Sequence, residues 1–312
     1  MSKFFNKLNT LMCDMEWNVA IRESKSTPIE QLDNRPYHVL KNTWRYWCAD
    51  PFLFEKDGVT YIFIEVFDRI TQKGAIGYRI FANGKCSKIK ICLESDYHFS
   101  YPYVFEKNGH IYMLPECHES RKLTLYRAIC FPDKWEIEEH IMNNKLVCDT
   151  NMYETKQGEQ VLLTMELDRK KFCYDKLSLY YKSKNGWEAS LNNPIVVGAD
   201  HARNGGALFE NGGRLIRPAQ NCEKSYGESL KFYHIKKIDK EFYEEELIST
   251  FCIRDVCTSK HIKFDGIHTY NRNGKYEVID LRQEKVFQMA RIIYLVRCRV
   301  NKIWRKAHGT TD

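Results

Sequence analysis

Short stretches in which apolar and polar residues alternate recur along this 312-residue chain and are separated by turn-forming Gly, Asn, Asp and Lys. Residues 49–65 (ADPFLFEKDGVTYIFIE) align without a gap with residues 100–116 (SYPYVFEKNGHIYMLPE). In each segment an Asp-Gly or Asn-Gly pair separates two alternating runs, which is the strongest short-range signal for a β-hairpin. We therefore predict two strands and a tight turn in each segment.

The same hairpin pattern occurs three more times, in residues 148–168, 203–220 and 266–282. Four of the five hairpins are followed by another strand-like run with a similar centre, namely IGYRIF (76–81), LTLYRA (123–128), LSLYYK (177–182) and LKFYHI (230–235). Blades of about four strands that repeat roughly every 50 residues are typical of a β-propeller. The pattern predicts an all-β fold, a five-bladed β-propeller formed by residues 1–283.

The fifth hairpin is followed directly by a basic segment, so its blade lacks outer strands. Residues 17–23 (WNVAIRE) are strand-like and have no partner nearby in the sequence. We expect this N-terminal strand to complete the last blade and close the ring, because closure removes an exposed sheet edge.

Composition agrees with a folded protein, since 43% of the residues are hydrophobic and 13% are aromatic. The N-terminal residues contain no apolar stretch of signal-peptide length, and no window reaches the ~18 apolar residues of a membrane span. The twelve cysteines show neither CxxC pairs nor regular spacing, so we expect free thiols rather than disulfides or a zinc site. These features predict a cytoplasmic protein.

The positive charge of the chain is concentrated near its C-terminus. Residues 284–312 contain seven Lys or Arg residues against Glu284 and Asp312, which accounts for +5 of the net charge of +7. The remaining +2 on the body is not the extended basic surface expected of a nucleic-acid-binding protein. We therefore expect no nucleic-acid partner.

The C-terminal segment also has a helical hydrophobic period. A rotation of about 100° per residue places one set of apolar side chains on a single side of a helix, namely Val286, Met289, Ile292, Ile293, Val296, Val300, Ile303 and Trp304. Basic residues fall on the other side, namely Arg291, Arg299, Lys302, Arg305 and Lys306. A basic amphipathic helix with a Trp on its apolar face suits an anionic membrane surface. We expect residues 286–306 to bind the inner face of a membrane, and packing against the propeller or a second subunit is the alternative.

Polar residues stand at the same end of every predicted hairpin. The first strand of an antiparallel hairpin begins where the second one ends, so five blades direct these residues toward one axial mouth. A ring of carboxylates suits sugar chemistry, because an oxocarbenium-like centre needs a carboxylate for its charge and an acid for its leaving group. The predicted catalytic residues are Asp50, Glu65 and Glu116. The predicted substrate-binding residues are His98, Tyr101, Arg203, Asn204, Arg217, Gln220, His268 and Asp280.

Structural explanations exist for several of these residues. Glu65 and Glu116 could be solvated strand ends, and His98 and His268 could be hydrogen-bonded rim residues. The Gly-Gly pair at 205–206 either lets a ligand approach the backbone closely or relieves crowding at a strand start.

Arg203 and Arg217 are the candidates for gripping a phosphate or carboxylate, because a guanidinium binds both groups in a bidentate manner. The chain contains no GxGxxG, P-loop, HExxH or DxD motif. The sequence therefore predicts no cofactor, and no spacing in it demands a metal.

Several segments resemble the propeller domain at the N-terminus of plant glucosamine inositolphosphorylceramide transferases, which also occurs in bacterial proteins of surface-polysaccharide gene clusters. The similar segments include WCADPFLFEKDGVTYIFIEVF, SYPYVFEKNGHIYMLPE, ARNGGALFENGGRLIRPAQNC and GIHTYN, within residues 15–282. The resemblance implies a five-bladed propeller related to family 43 and 32 glycosidases, and a role in glycan assembly.

In those glycosidases an inner-strand Asp that precedes Pro acts as base or nucleophile, and the resemblance assigns this role to Asp50. Their second blade typically offers another such Asp where this chain has Tyr101, which argues against simple glycoside hydrolysis. In the plant enzymes a separate domain resembles the glycosyltransferase proper, so the resemblance leaves the activity of the propeller itself open.

Three functions are compatible with these patterns. The leading hypothesis is an enzyme of surface-polysaccharide or glycolipid biosynthesis that transfers a sugar from a donor to a glycan or lipid-linked acceptor. Its expected residues are Asp50 as base or nucleophile, Glu116 or Glu65 as acid, and Arg203, Asn204 and Arg217 as anion grips. A glycoside hydrolase and a non-catalytic glycan-binding or scaffold module are the alternatives.

Overall fold

The structure is a computed structural model that describes residues 13–25, 29–31, 33–167, 175–259 and 262–308, apart from the side chains of residues 285, 291 and 302–308. Its strands form five antiparallel sheets. These sheets are the blades of a five-bladed β-propeller, which confirms the predicted fold class.

Four blades are built from consecutive segments of the chain, and each begins with its innermost strand. Blade 1 contains Tyr46–Lys56, Val59–Asp68, Lys73–Ala82, Lys85–Cys86 and Lys90–Leu93. Blade 2 contains Ser100–Lys107, His110–Glu116, Lys122–Cys130 and Lys134–Asn143. Blade 3 contains Val147–Glu154, Gln160–Glu166, Lys176–Ser183, Gly186–Ala189 and Val196–Val197. Blade 4 contains Arg203–Asn204, Phe209–Asn211, Arg214–Asn221, Ser229–Ile238 and Tyr243–Cys252. Short 3₁₀ helices lie at His118–Ser120 and Ile253–Asp255.

Blade 5 combines strands from both ends of the chain, namely Tyr270–Arg272, Tyr276–Phe287, Cys13–Glu23 and His38–Val39. The N-terminal strand pairs antiparallel with the last strand along most of its length, with Trp17 opposite Arg282 and Ile21 opposite Val278. Residues 17–23, which were expected to close the ring, lie within this strand. The closure pairs the long strands that would otherwise be open edges.

The hairpin turns form where the sequence predicts them. In blade 1 Lys56 pairs with Val59, and in blade 2 Lys107 pairs with His110. Both residues of each intervening Asp-Gly or Asn-Gly pair have positive φ, which is the backbone conformation of a two-residue hairpin turn.

A β-bulge at the same position of three blades shapes the centre of the propeller. Asp50, Tyr101 and Asp149 each have a φ of 46° and each interrupts the pairing of its inner strand. A left-handed backbone is unfavourable for a residue with a side chain, by about 1–3 kcal/mol, and persists where surrounding contacts enforce it. Here the bulges turn these three side chains toward the propeller axis.

Apolar side chains fill the spaces between adjacent blades. One buried cluster joins Phe52 and Phe63 of blade 1 to Tyr101 and Met113 of blade 2. Burying a large apolar side chain of this kind contributes about 1.5–3 kcal/mol relative to leaving it exposed. The blades are therefore held around the axis by packing as well as by closure of the ring. None of the described cysteines forms a disulfide, as the sequence predicts.

The chain ends in a helix, Met289–His308, that follows the last strand almost directly. The last strand extends to Phe287. Val286, which the hydrophobic period places in the helix, therefore lies in this strand. Among the residues that the structure describes, no helix is long and apolar enough to cross a membrane.

Candidate active site

A cavity of about 720 Å³ opens at one end of the propeller axis. It is lined by residues of blades 1, 2, 4 and 5, including six of the predicted site residues, namely Asp50, Glu65, His98, Glu116, Arg203 and His268. Six of the eleven predicted site residues are thus brought together around one cavity. The other five predicted residues, Tyr101, Asn204, Arg217, Gln220 and Asp280, do not line it.

Asp50 is held from three directions at the base of the cavity. Its Oδ1 accepts a hydrogen bond from the Thr269 hydroxyl at 2.7 Å and lies 3.1 Å from Nε2 of His268. Its Oδ2 accepts the backbone N–H of Tyr101 at 3.1 Å. Burial alone would raise the pKa of the Asp50 carboxyl, but His268 and Thr269 outweigh burial and the pKa lies below its usual value. Asp50 is therefore an ionised carboxylate at neutral pH.

His268 lies between two carboxylates. Its Nδ1 is 2.9 Å from Oδ1 of Asp280, a charge contact whose direction is poor for a hydrogen bond. Burial would lower the pKa of His268, but Asp280 and Asp50 raise it to about 10. Asp280 also accepts the backbone N–H groups of Asp50, His268 and Thr269. Asp280 thus positions Asp50 and His268 from below the cavity.

Glu65 pairs with His98 on the blade 1 side of the cavity. The Glu65 Oε1 lies 3.0 Å from Nε2 of His98. Burial raises the pKa of Glu65, by more than His98 lowers it. Burial would lower the pKa of His98, but Glu65 raises it to about 9. Of the three predicted catalytic carboxyl groups, Glu65 is thus the one whose pKa is raised, and its contact with His98 keeps a proton on the pair at neutral pH.

Glu116 belongs to a second ionic group, between blades 2 and 4. Its Oε1 lies 3.1 Å from Nδ1 of His118, and its Oε2 accepts the backbone N–H of Asp149 at 3.2 Å. Burial would raise the pKa of Glu116, but His118 and Arg203 lower it by more. Of the two acids proposed from the sequence, Glu116 is thus the less suited to donate a proton.

Asp149 is a central residue that is not among the predicted site residues. Its carboxylate forms an ion pair with Nε of Arg203 and accepts a hydrogen bond from the Gln220 side chain at 3.1 Å. Burial raises the pKa of Asp149 well above its usual value, against the lowering by Arg203. The signal was present, because Asp149 stands at the hairpin position that Asp50 and Tyr101 occupy in the other repeats.

Four of the predicted residues support the cavity from below. Tyr101 is fully buried, and its hydroxyl donates to the backbone oxygen of Gly206 at 2.9 Å. The Asn204 side chain donates to the backbone oxygen of Asp149 at 2.7 Å, and Gln220 binds Asp149 and the Asn204 backbone. Asp280, the fourth, is also fully buried. These side chains fix the backbone around the axis and do not line the cavity.

Arg217 lies outside the cavity altogether. Its guanidinium is fully buried and forms two hydrogen bonds with Glu245, at 2.6 and 2.7 Å. It also donates to the backbone oxygen of His201 at 3.0 Å. The expectation that Arg217 grips a substrate phosphate is therefore not supported, because its charge is already paired inside blade 4.

The Gly-Gly pair after Asn204 faces other blades and not the cavity. The Gly206 N–H donates to the Tyr101 hydroxyl at 3.1 Å. A Cβ atom on Gly206 would lie 2.0 Å from the backbone oxygen of Tyr270. Of the two explanations suggested by the sequence, relief of crowding is the correct one.

Aromatic rings form much of the remaining cavity wall, and none of them is among the predicted site residues. The rings of Trp47 and Phe67 are stacked with centroids 4.4 Å apart. The Trp17 ring packs on His268 with a centroid distance of 4.0 Å, and the Arg203 guanidinium lies over the Tyr226 ring at 5.1 Å. Flat apolar rings beside carboxylates and an arginine suit a ligand with both apolar faces and hydroxyl groups, as sugars have.

Asp50, His268 and Asp280 have the composition of a metal site, and their ligand atoms lie within 4.8 Å of one another. All four carboxylate oxygens, however, already accept hydrogen bonds. Those of Asp50 accept the Thr269 hydroxyl and the Tyr101 backbone N–H. Those of Asp280 accept the backbone N–H groups of Asp50, His268 and Thr269. The group is therefore best described as a hydrogen-bonded network around a histidine cation.

The sequence is similar to that of a known protein family. A family model described as "Glucosamine inositolphosphorylceramide transferase 1, N-terminal" matches residues 39–284. Glucosamine inositolphosphorylceramide transferase 1 of Arabidopsis thaliana is 35% identical over 208 residues, which is 64% of this chain and 27% of the plant protein. The protein of the same name from Oryza sativa subsp. japonica is 34% identical over 206 residues, with the same coverage. The match thus spans about a quarter of the length of these relatives.

Solved structures show the same fold at low sequence identity. A GH43_1 enzyme from Xanthomonas citri has a TM-score of 0.52 at 8% identity, over 77% of this chain and 87% of the enzyme. The catalytic domain of the Coprinopsis cinerea GH62 α-L-arabinofuranosidase has a TM-score of 0.51 at 11% identity, over 84% and 97%. A GH62 hydrolase solved with xylotriose has a TM-score of 0.51 at 10% identity, over 75% and 90%. At such identities the likeness establishes the fold alone.

Proposed function

This chain belongs to the family of the N-terminal domain of glucosamine inositolphosphorylceramide transferase 1, and we propose that it transfers a sugar to a lipid-linked acceptor in the biosynthesis of a glycolipid or surface polysaccharide. The relatives carry the name glucosamine inositolphosphorylceramide transferase 1. Their names suggest a sugar donor and a glycolipid acceptor as the ligands of this chain.

One observation carries the proposal. Asp50 is held as an ionised carboxylate in a cavity that also contains Glu65, whose pKa is raised by burial. General acid–base chemistry at a sugar requires two carboxyl groups, one of which stays ionised while the environment raises the pKa of the other. The aromatic wall supplies a surface on which a sugar ring can pack.

The two carboxyl groups have different roles. As a base, Asp50 accepts the proton of the acceptor hydroxyl while that hydroxyl attacks the donor sugar. As a nucleophile, Asp50 instead attacks the anomeric carbon, and the acceptor then displaces it. Glu65 donates a proton to the leaving group, and His98 keeps it oriented. Arg203 is paired with Asp149 but, unlike Arg217, also lines the cavity, where its guanidinium can contact an anionic part of the donor or acceptor.

The proposal includes a place in the cell. The protein is a cytoplasmic enzyme that associates peripherally with the inner face of the membrane through residues 286–306. In the described part of the helix the apolar side chains of Ile292, Ile293, Val296 and Val300 are exposed, so they are not packed against the propeller. Exposed apolar groups beside basic residues favour an anionic lipid surface.

A glycoside hydrolase is the second candidate, because the same pair of carboxyl groups serves hydrolysis when water replaces the acceptor. The position of Tyr101 weighs against it. The Tyr101 side chain points into the buried axis, so this position does not supply the cavity with the carboxylate that the glycosidases typically have there.

The decisive experiment is a donor panel followed by a turnover assay. Nucleotide sugars and lipid-linked sugars are screened for a rise in melting temperature, since a bound donor stabilises the folded state. The binding donor is then incubated with a glycolipid acceptor, and sugar release and sugar transfer are measured separately for the wild type, Asp50→Asn and Asp57→Asn. Asp57 lies in the exposed hairpin turn of the same blade and provides the matched control.

We expect transfer that Asp50→Asn reduces about 10²–10⁴-fold and that Asp57→Asn leaves intact. Release of free sugar without an acceptor would identify a hydrolase. Saturable binding with no turnover in the wild type would identify a glycan-binding module and reject the proposed catalysis.

A further inference from the structure

A groove of about 380 Å³ lies beside the candidate active site. Met15 and Trp17 of the N-terminal strand line the cavity, whereas Glu16 and Asn18 of the same strand line the groove. Successive side chains of a strand point to opposite sides. The cavity and the groove are therefore separated by a single strand, and Gln288 contacts both of them.

The groove has a polar floor. Glu16 and Arg69 form a buried ion pair there, and the Asn42 side chain donates to the Asn18 side chain at 3.1 Å. Because Glu16 and Arg69 neutralise each other, Lys41 is the lining residue that sets the local charge. The floor offers amide groups to a polar ligand, and the edge is positively charged.

Its lip is apolar and exposed to a degree that is unusual for large side chains. Trp44 is 63% exposed, Met289 is 60% exposed and Phe287 is 56% exposed. Met15, at the edge of the cavity, is 36% exposed. Exposed large apolar side chains that line one groove beside a candidate active site favour coverage of that surface by another apolar body.

The lip continues into the C-terminal helix, which begins at Met289. The exposed helix residues Ile292, Ile293 and Val296 extend the apolar surface away from the propeller. Arg297 and Arg299 are exposed on the same helix. The surface thus combines tryptophan and aliphatic side chains with positive charge, which is the combination that favours the interface of an anionic bilayer.

We propose that the groove lined by Trp44, Phe287 and Met289 lies against an anionic lipid bilayer and receives the polar linkage of a lipid-linked acceptor, so that the catalytic cavity opens toward the membrane. The inference rests on the proposed function and goes beyond attachment by the helix, because it fixes how the propeller is oriented. An acceptor held in this way keeps its chain among lipids, its polar linkage on the floor of the groove and its reactive end in the cavity.

The orientation is tested by quenching tryptophan fluorescence with vesicles of phosphatidylcholine and phosphatidylserine whose acyl chains carry bromine. All variants contain Trp304→Phe, so that the helix tryptophan does not contribute. Trp44→Leu is compared with Trp187→Leu, a matched loss of one tryptophan in the outer hairpin of blade 3. We expect Trp44→Leu to remove at least half of the lipid-dependent quenching and Trp187→Leu to leave it unchanged. Equal quenching in both variants would overturn the proposal.

A second measurement separates this proposal from the proposed catalysis. Trp44→Glu is compared with Leu191→Glu, a control at a fully exposed apolar residue outside the groove. We expect Trp44→Glu to lower transfer to an acceptor embedded in anionic vesicles at least tenfold and to leave transfer to a short-chain soluble acceptor intact. If neither acceptor is used by the wild type, the proposed function fails while the quenching result still decides the orientation.

The alternative occupant of the groove is a second copy of this chain. Sedimentation velocity of the wild type and Trp44→Glu, without lipid, distinguishes the two occupants. A monomer in both cases supports the bilayer. A wild-type dimer that Trp44→Glu converts to a monomer would assign the groove to self-association and reject the proposal.

Discussion

Asp50 and His268 are in contact across the junction of blades 1 and 5, with the carboxylate Oδ1 at 3.1 Å from the imidazole Nε2. The contact joins the first repeat of the sequence to the last. It also fixes the charge of both groups, since each stabilises the ionised form of the other. The closed ring is therefore a condition for the chemistry of the site, because the partners are 218 residues apart in the chain.

Replacement of His268 by Gln should shift the acid limb of the pH–activity profile to higher pH. The histidine cation holds the pKa of Asp50 below its usual value, so its loss lets the Asp50 carboxylate take up a proton at a higher pH. The profile of kcat/KM reports this group in the free enzyme. His110→Gln, at the exposed start of the second strand of blade 2, should leave the limb in place. An unshifted limb in His268→Gln would mean that the limb does not belong to Asp50.

Replacement of Glu65 by Gln should have an effect that depends on the leaving group of the donor. Glu65 is assigned as the acid, so its loss matters most for a leaving group that must be protonated. We expect a loss of about 10²–10⁴-fold for a poor leaving group and much less for an activated aryl glycoside or a nucleotide. Parallel assays of Glu116→Gln test the assignment. If the loss of activity depended more strongly on the leaving group in Glu116→Gln than in Glu65→Gln, the acid would be Glu116.

The free energy of unfolding should fall as the pH rises from about 6.5 to about 10. Folding raises the pKa of His268 from an ordinary value of 6.5 to about 10, so the folded state binds more protons than the unfolded state in this range. The stability that this contributes is complete below the unfolded pKa and is lost as pH rises through the folded one. Urea unfolding at several pH values should show a shallower decline in His268→Gln than in the wild type. A residual slope is expected from His98, whose pKa is raised to about 9.

The fold and the place of the cavity were predictable because they depend on a local pattern that repeats. The Asp57-Gly58 and Asn108-Gly109 turns set the hairpin register, and the register places Asp50 and Glu65 at one end of their blade. Any propeller built from such hairpins must collect these ends around its axis. The carboxylates of the cavity could therefore be found without knowledge of their neighbours.

The distinction between lining and supporting residues was not predictable from the repeat. Arg203 and Arg217 stand near the start and near the end of one hairpin, yet Arg203 faces the cavity and Arg217 pairs with Glu245. The difference depends on the strand that packs against each residue, and Glu245 lies in a strand 28 residues later. Asp149 was overlooked for the related reason that its importance comes from its contact with Arg203.

Replacement of Arg217 by Met should destabilise the protein and leave donor binding unchanged. The change leaves the Glu245 carboxylate without its partner in a buried position, which costs about 3–5 kcal/mol. Arg127→Met removes two solvent-accessible ion pairs, with Glu136 and Glu138, and should cost about 0–1 kcal/mol. Urea unfolding measures the stability, and the affinity for the identified donor is titrated below the unfolding transition. Weaker donor binding by folded Arg217→Met would restore Arg217 to the site.

Replacement of Gly206 by Ala should disrupt the centre of the propeller, although Gly206 does not touch the cavity. The new Cβ would lie 2.0 Å from the backbone oxygen of Tyr270, and the φ of 141° is unfavourable for any residue with a side chain. Backbone atoms cannot yield as a flexible side chain does, so blades 4 and 5 would have to separate and the Tyr101 hydroxyl would lose its partner. We expect a loss of more than about 3 kcal/mol in stability.

Gly274→Ala is the control for Gly206→Ala, because a Cβ atom at residue 274 would meet nothing within 4 Å. This substitution should be neutral or should stabilise the protein by about 0.4–1 kcal/mol. Equal stability of the two variants in urea unfolding would show that the blades can approach each other without glycine at 206.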